Sequence, residues 1–512
     1  MTCIDPRRMR VATQVAPRLM MRTSLSVGGV SALLLAATLT VATAADIVTK
    51  APPPGAPTAP AACGSIWDFI VTSCPLSWYG ITIYGTVDAG VTWQSHGTPF
   101  NGLLPAGVDY LISKNSNRAL WSPANNAMSQ SNIGVKGREE FAPGWALVFD
   151  LQADFNPYSL QLSNGPGSLV QNAGVPLPSQ TGNGDSSHGG QFYNGLGYIG
   201  VSSSTYGTLT VFRQNTLRLD SVIAYDPMSG SNAFSPIGFS GGACGAGDTE
   251  DCRMTTSLKY RVDIGQFRAA TFWQFGGYAQ NNGANGAYQF QAGGDISNLA
   301  KGVLSLDAIY SHVIDAVALG LAGNPVGPGG NPLPPFLPQV LTATISDDTS
   351  MMLLARYTNG PIKLYGGYEW IQSAPPSSPQ TAFTDIAGDA ICIGCATINN
   401  TNINNTAFAA HDRLFQVFWT GTKYAIINKL DLMGGYYHFN QNNFGAGAPC
   451  NTAAKATCSG TTDAVSFAVD WRFAAKFDAY AGFMFSQVNN GRANGYLNRN
   501  TIDPAVGLRF QF

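Results

Sequence analysis

Hydrophobic and polar residues alternate with a period of two over most of this chain after Trp78. Between Thr82 and Gln94 one face carries apolar side chains, and the other carries hydroxyl, amide and carboxyl groups. Similar stretches begin at Trp145 and Ile362, and aromatic residues gather near their ends. Successive side chains of a strand point to opposite faces, so the pattern predicts strands with one apolar face and one face of scattered acids and bases. Such strands are typical of a barrel with lipid outside and water inside.

The connections between the predicted strands alternate in length. Seven are short, at residues 142–144, 204–206, 263–266, 298–301, 359–361, 425–429 and 474–476. Eight long stretches rich in Gly, Asn, Ser and Pro separate them, around residues 96–128, 159–190, 219–252, 281–286, 316–347, 375–410, 442–461 and 489–500. We therefore predict an all-β fold, a 16-stranded antiparallel transmembrane β-barrel with short periplasmic turns and long external loops. Closure leaves no backbone edge unpaired in lipid.

Composition agrees with a barrel better than with a soluble protein. Charged residues make up 11% of the 512 residues, whereas soluble domains contain about a quarter. A low charge content without long helical apolar runs is what alternating strands produce.

The N-terminus predicts export. Arg18 and Arg22 precede an apolar run at residues 25–41, and Ala42-Thr43-Ala44 offers small residues for cleavage. A membrane helix is the less favoured reading, because the run is short and interrupted by small and hydroxylated residues. We expect three regions: a signal peptide at 1–44, a proline-rich periplasmic segment at 45–76 and a barrel at 77–512. Removing five arginines and one aspartate with the signal changes the net charge from -2 to -6, which argues against a nucleic-acid partner.

Eight cysteines remain in the predicted mature chain, and their spacing suggests four local disulfides. The pairs are Cys63 with Cys74, Cys244 with Cys252, Cys392 with Cys395, and Cys450 with Cys458. The spacing of Cys392 and Cys395 also matches a thiol redox motif or half a zinc site. A loop disulfide is favoured because that motif lies among Asn and Thr residues. The histidines are scattered, so no metal site and no cofactor are predicted.

Residues 208–262 place acids and bases where they could form a charged constriction. The second strand of this stretch carries Lys259 and Arg261 on one face, and acids are concentrated in the preceding loop at residues 219–252. If the loop folds into the barrel, its acids would face these bases across the lumen.

Three motifs together resemble those of the trimeric general-diffusion porins of Gram-negative outer membranes. They are the YGTVD motif beginning at Tyr84, the SNIGVKGREE motif beginning at Ser131, and the terminal GLRFQF ending at Phe512. The resemblance covers the chain from Trp78 onward. It implies a homotrimer in outer-membrane lipid and lipopolysaccharide, assembled by the barrel-assembly machinery through Phe512. It also implies passive diffusion of small hydrophilic solutes and ions through an eyelet made by the inward-folded third loop.

The resemblance places the constriction on residues of the third loop and the adjoining wall. The implied set is Lys136, Arg213, Asp220, Asp226, Asp248, Glu250, Asp251 and Arg253, to which the strand pattern described above adds Lys259 and Arg261. Two positions depart from the family pattern, since Asn132 and the region of Asn194 or Gly195 replace expected arginines. Strict alternation turns Arg213 toward lipid, where an arginine would cost roughly 2 to 4 kcal/mol. We therefore expect a bulge or a loop-root position there.

Two other function classes remain open from the sequence. A substrate-specific outer-membrane channel or a surface-binding barrel could use the long external loops. An enzyme is disfavoured because no grouping of Ser, His and an acid is recognisable at the strand ends. Ion preference is not fixed, because charges are spread over loops that need not face the pore.

Overall fold

The computed structural model describes residues 63–97, 112, 118–160, 162, 192–237, 253–280, 283–321, 341–381 and 403–512. The first half of these ranges contains α1 (Ile66–Val71), β1 (Leu76–Trp78), β2 (Ile81–Gly97), β3 (Arg118–Asn125), β4 (Asn132–Ala142), β5 (Trp145–Asp154), β6 (Gly197–Ser203), β7 (Gly207–Asn215), α2 (Leu217–Tyr225), β8 (Arg253–Ile264) and β9 (Phe267–Gln274). The second half contains β10 (Gly286–Leu299), β11 (Gly302–Leu321), β12 (Leu341–Asn359), β13 (Ile362–Ala374), β14 (Ile403–Asn404), β15 (Arg413–Ile427), β16 (Leu430–Gln441), β17 (Gly460–Trp471), β18 (Phe477–Asn490) and β19 (Asn500–Gln511). No helix within these ranges is long and apolar enough to cross a membrane.

Sixteen of the strands form one closed antiparallel barrel, as predicted. The first and last strands close it, with Ala89 of β2 opposite Leu508 of β19. On its other side β2 meets two strands in succession: β3 lies along its C-terminal half and β4 along its N-terminal half. The short strands β1, β3 and β14 are additions to the sixteen.

The predicted short turns join consecutive strands at one end of the barrel, here called the turn end. The link from β12 to β13 is one example, where Gly360 has a φ of 56° that a residue with a side chain rarely adopts. β2 begins and β19 finishes at this end too, because Gly85 and Phe512 exchange backbone hydrogen bonds of 3.0 Å. The alternation of connection lengths was therefore a reliable guide to topology.

Side-chain exposure confirms the two faces of the wall, with one difference. Val87 and Val91 are 37% and 48% exposed on the outside, whereas Asp88 between them is fully buried. The inner face, however, is not polar throughout. Phe272 and Trp419 are buried on it, because a loop segment described below covers them.

Residues 63–78 form a short clasp at the turn end. The Cys63–Cys74 disulfide closes this segment, and β1 pairs with β2. Phe69 of α1 meets the ring of Phe512 edge-on, with 5.6 Å between centroids. Lys476 places Nζ 3.7 Å from the Phe69 ring centroid and donates to the Cys74 carbonyl at 2.8 Å. The clasp therefore contacts both the first and the last strand of the barrel.

The structure tests two of the four predicted disulfides. Cys63–Cys74 and Cys450–Cys458 are both formed, with sequence separations of 11 and 8. The other two predicted pairs, Cys244 with Cys252 and Cys392 with Cys395, lie outside the described residues.

Candidate pore constriction

The chain enters the barrel directly after β7. Thr216 caps α2, its side chain accepting a hydrogen bond from the Leu219 amide at 3.3 Å. Leu217, Val222 and Tyr225 of the helix are at most 2% exposed, which explains why the helix lies against the wall. We call residues 216–237, the described part of the third loop, the loop-3 segment.

A buried ion pair and an amide contact hold the start of this segment. Arg218 donates from Nε to Glu369 of β13 at 2.8 Å and also from Nη2. Their side chains are 1% and 0% exposed. The Leu217 amide donates to Oε1 of Gln289 on β10 at 2.7 Å. An isolated buried charge is very unfavourable, so each member of the pair needs the other.

Tyr225 anchors the middle of the segment to four strands. Its hydroxyl donates to Asp307 of β11 and accepts from Nη2 of Arg268 on β9 at 2.8 Å. Its carbonyl accepts from the Trp419 indole of β15 at 3.1 Å. Arg356 of β12 lies over the Tyr225 ring, 5.4 Å from its centroid. Burial raises the pKa of the Tyr225 hydroxyl, which remains a proton donor to Asp307.

Asp226 continues this line of contacts along the wall. It accepts from the Tyr437 hydroxyl of β16 at 2.6 Å and from the Gly230 amide at 2.7 Å. Burial raises the pKa of its carboxyl. Asp226 is therefore held by a tyrosine and a backbone amide, and is 1% exposed.

The end of the segment reaches the far side of the barrel. Asn232 donates to the Asn126 carbonyl at 2.6 Å, beyond the end of β3. Phe234 packs edge-on against Tyr480 of β18, with 6.3 Å between centroids. With contacts from β10 through β18 to the stretch after β3, the segment lies across the interior.

Gly421 shows how closely the segment approaches the wall. A Cβ atom at this position would lie 2.5 Å from the side chain of Pro227 and 2.3 Å from the Gly434 carbonyl. Any larger residue at Gly421 would push the segment or the neighbouring strand away.

Asp220 of the loop is in direct contact with two bases of β8 rather than opposite them across the lumen. Nζ of Lys259 lies 3.0 Å from its Oδ2, and Nη2 of Arg261 contacts the same oxygen. These side chains are 25%, 13% and 42% exposed for Asp220, Lys259 and Arg261. The cluster is therefore accessible to water, unlike the buried pair of Arg218 and Glu369.

Arg213 is turned inward by a β-bulge. The pairing register of β7 with β8 shifts between Phe212 and Gln214, and Phe212 has a φ of 86°. Phe212 is 57% exposed and Arg213 only 5%. Arg213 donates from Nε to the Asn194 carbonyl at 3.0 Å. The bulge expected from the cost of a lipid-facing arginine is present.

Of the remaining predicted residues, two lie in the described part of the chain and three do not. Arg253 lies 3.7 Å from Asp154 of β5 and donates to Asn215 at 3.1 Å, next to the start of α2. Lys136 lies elsewhere on the wall, with Nζ 4.8 Å from the centroid of the Tyr84 ring on β2. Outside the described residues are Asp248, Glu250 and Asp251.

Several residues that hold the loop-3 segment were not identified from the sequence. They are Arg218, Tyr225, Arg268, Asp307 and Arg356. Arg268, Asp307 and Arg356 follow the inward phase of their strands, which was the available signal, whereas Arg218 and Tyr225 lie in the loop and had none. In the described part of the chain no group of three or more His, Cys, Asp or Glu residues is arranged to hold a metal ion.

Comparisons with known proteins bear on the barrel fold. No curated protein matches the chain. Solved structures share the fold: an anion-selective porin from Comamonas acidovorans has a TM-score of 0.52 at 13% identity, covering 84% of this chain and 99% of that chain. In-vitro folded OmpT, an outer membrane protein of Vibrio cholerae, has a TM-score of 0.51 at 12% identity, covering 86% and 99%. A trimer form of that protein gives 0.51 and 12%, covering 84% and 99%.

A family model provides the wider assignment. It is described as Gram-negative porin and matches residues 31–491, which include nearly all of the barrel. The chain therefore belongs to the Gram-negative porin family.

Proposed function

We propose that this protein forms a water-filled channel in the outer membrane for passive diffusion of small hydrophilic solutes and ions. The loop-3 segment would narrow the channel. The observation that carries the proposal is the path of residues 216–237 across the barrel interior. A water-accessible charged cluster lies where the segment meets the wall: Asp220 belongs to the segment, and Lys259 and Arg261 belong to β8.

The proposal includes a homotrimer that carries out no covalent chemistry. A trimer form is described for the V. cholerae protein that shares this fold. The apolar outer face suits outer-membrane lipid and lipopolysaccharide, and the aromatic Phe512 at the end of the final strand suits recognition by the barrel-assembly machinery.

Planar-bilayer recording tests the channel directly. The purified full chain should insert with stable conductance that rises in steps of three. A folded protein that inserts but conducts nothing would refute the channel. Saturable block of the current by one solute would favour the substrate-specific alternative.

Asp220→Asn tests the role of the charged cluster. Losing one negative charge about 8 Å from a passing ion changes the energy of that ion by about 0.5 kcal/mol in water. Cation permeability should fall and anion permeability rise by about twofold each, so their ratio changes by about fivefold. The reversal potential across a salt gradient should therefore move toward anion preference. Asp263→Asn is the matched control, because Asp263 is an exposed acid near the turn end of β8, the strand that carries Lys259 and Arg261. Equal reversal potentials for both variants and the native chain would exclude Asp220 from the ion path.

A further inference from the structure

Three bases from neighbouring strands share the inner wall near the turn end. Lys363 of β13 lies directly opposite Lys423 of β15, and Arg356 of β12 lies opposite Tyr365, two residues along β13 from Lys363. Lys363 has the same strand phase as Glu369, which binds the loop-3 segment inside the barrel. Its side chain therefore points inward, and the residue is exposed.

The pairing of Lys363 with Lys423 is unfavourable by itself. Directly opposed residues on one face place their Cβ atoms about 4.5–5.5 Å apart, and like charges at that distance repel. Asp431 of β16 lies 2.9 Å from Nζ of Lys423, but it also lies 2.7 Å from Arg472. One carboxylate is thus shared between two bases.

Further acids around the cluster are engaged by other bases. Asp470 lies 3.5 Å from Arg472 and 3.7 Å from Arg509, and Asp478 lies 3.0 Å from Arg509. On the other side, Asp295 lies 2.9 Å from Arg268. These carboxylates do not offset the opposed lysines of β13 and β15.

Arg356 completes the cluster under the loop-3 segment. It donates from Nη1 to the neutral carbonyl of Ala224 at 3.0 Å and stacks over Tyr225. These contacts hold the guanidinium against the loop-3 segment. A guanidinium and two ammonium groups at neighbouring register positions of one wall suit an oxyanion, because the guanidinium can donate two parallel hydrogen bonds and the lysines add point charges.

We propose that Arg356, Lys363 and Lys423 form a binding site for a small free oxyanion of the phosphate or carboxylate type, between the loop-3 segment and the turn end. The inward position of the cluster favours a dissolved anion over a lipid headgroup. Access of the anion through the lumen rests on the proposed channel function, but its binding can be measured separately.

Inorganic phosphate is the probe, titrated calorimetrically into the detergent-solubilised full chain at constant ionic strength. The native chain should show saturable binding. The variant Lys363→Gln with Lys423→Gln should bind on the order of tenfold more weakly, because two unit charges at close range are lost. Lys429→Gln is the control, since Lys429 is an exposed lysine in the turn between β15 and β16 and should leave binding unchanged.

Three further measurements separate the possible failures: gel mobility, binding in the presence of lipid, and channel current. Heat-dependent mobility on SDS gels shows whether each variant retains the folded barrel. If a folded native chain shows no saturable binding, or if the double variant binds as the native chain does, the site is refuted. If the native chain in detergent binds no inorganic phosphate but does bind vesicles of a phosphate-bearing lipid, the free-anion site is refuted and the ligand is a lipid headgroup. A native chain that binds phosphate but conducts no current would refute the channel and leave the site standing.

Discussion

At the scale of single residues, the contact between Arg218 and Glu369 matters most for the position of the loop-3 segment. The pair joins α2 to β13 with both side chains almost fully buried. In such a pair the attraction largely offsets the loss of hydration, whereas removal of one member leaves a buried charge uncompensated. The pair therefore determines position more than it adds stability.

Glu369→Gln should destabilise the protein by about 3–5 kcal/mol, the usual cost of breaking a buried pair. The measurement is the temperature at which the SDS-resistant barrel unfolds, together with the noise of the open-channel current. The double change Arg218→Met with Glu369→Leu should be less harmful, because it leaves no charge behind. Equal unfolding temperatures for Glu369→Gln and the native chain would show that the pair does not hold the segment.

The sequence allowed only one half of this pair to be anticipated. Glu369 follows the inward phase of its strand, so its direction could be predicted. Arg218 lies in a loop that has no periodic pattern, 151 positions earlier in the chain. Alternation gives the face of a strand residue, but it contains no information on what covers that face. For Arg213 the energetic cost of lipid exposure supplied the missing information, and the bulge was predictable.

At the scale of elements, the clasp at residues 63–78 joins the two strands that close the barrel. β1 pairs with β2, while Phe69 packs on Phe512 at the end of the terminal segment. Cysteine spacing predicted the Cys63–Cys74 bond, but nothing in the proline-rich sequence indicated that α1 would dock on the C-terminus.

Removing this disulfide by Cys63→Ala with Cys74→Ala should loosen the seam between β2 and β19. A disulfide typically contributes about 2–4 kcal/mol, much of it by restricting the unfolded segment. Amide hydrogen exchange in residues 85–89 and 506–512 should therefore become faster. The double change Cys450→Ala with Cys458→Ala is the matched control, since it removes a short local disulfide between β16 and β17. Equal acceleration in both variants would mean that the clasp has no special role at the seam.

At the scale of the whole molecule, strand phase and connection length determine most of the architecture. Sixteen strands, the short turns at one end and the outward apolar face all follow from a period of two and from lipid as the outer solvent. The apolar inner wall does not follow. Phe272, Met352 and Trp419 are buried inside the barrel because the loop-3 segment packs on them, and that contact depends on tertiary structure.

Replacing residues 221–237 with a short Gly-Ser linker should raise single-channel conductance and lower the unfolding temperature. Conductance should rise because the segment occupies the lumen, and stability should fall because the apolar wall residues would then meet water. A deletion of equal length within residues 322–340, between β11 and β12, is the control for shortening a connection. An unchanged conductance in the first variant would contradict the proposed narrowing by this segment.

The anchoring of the loop-3 segment also has a mechanical consequence. A bilayer exerts lateral pressure on an embedded barrel, and a hollow cylinder yields to such pressure by becoming oval. The segment is bonded to β10, β11, β13, β15 and β16 and packs on β18, so it acts as an internal brace against that change of cross-section. The contacts that hold the segment across the lumen should therefore keep the cross-section of the barrel constant when membrane tension changes.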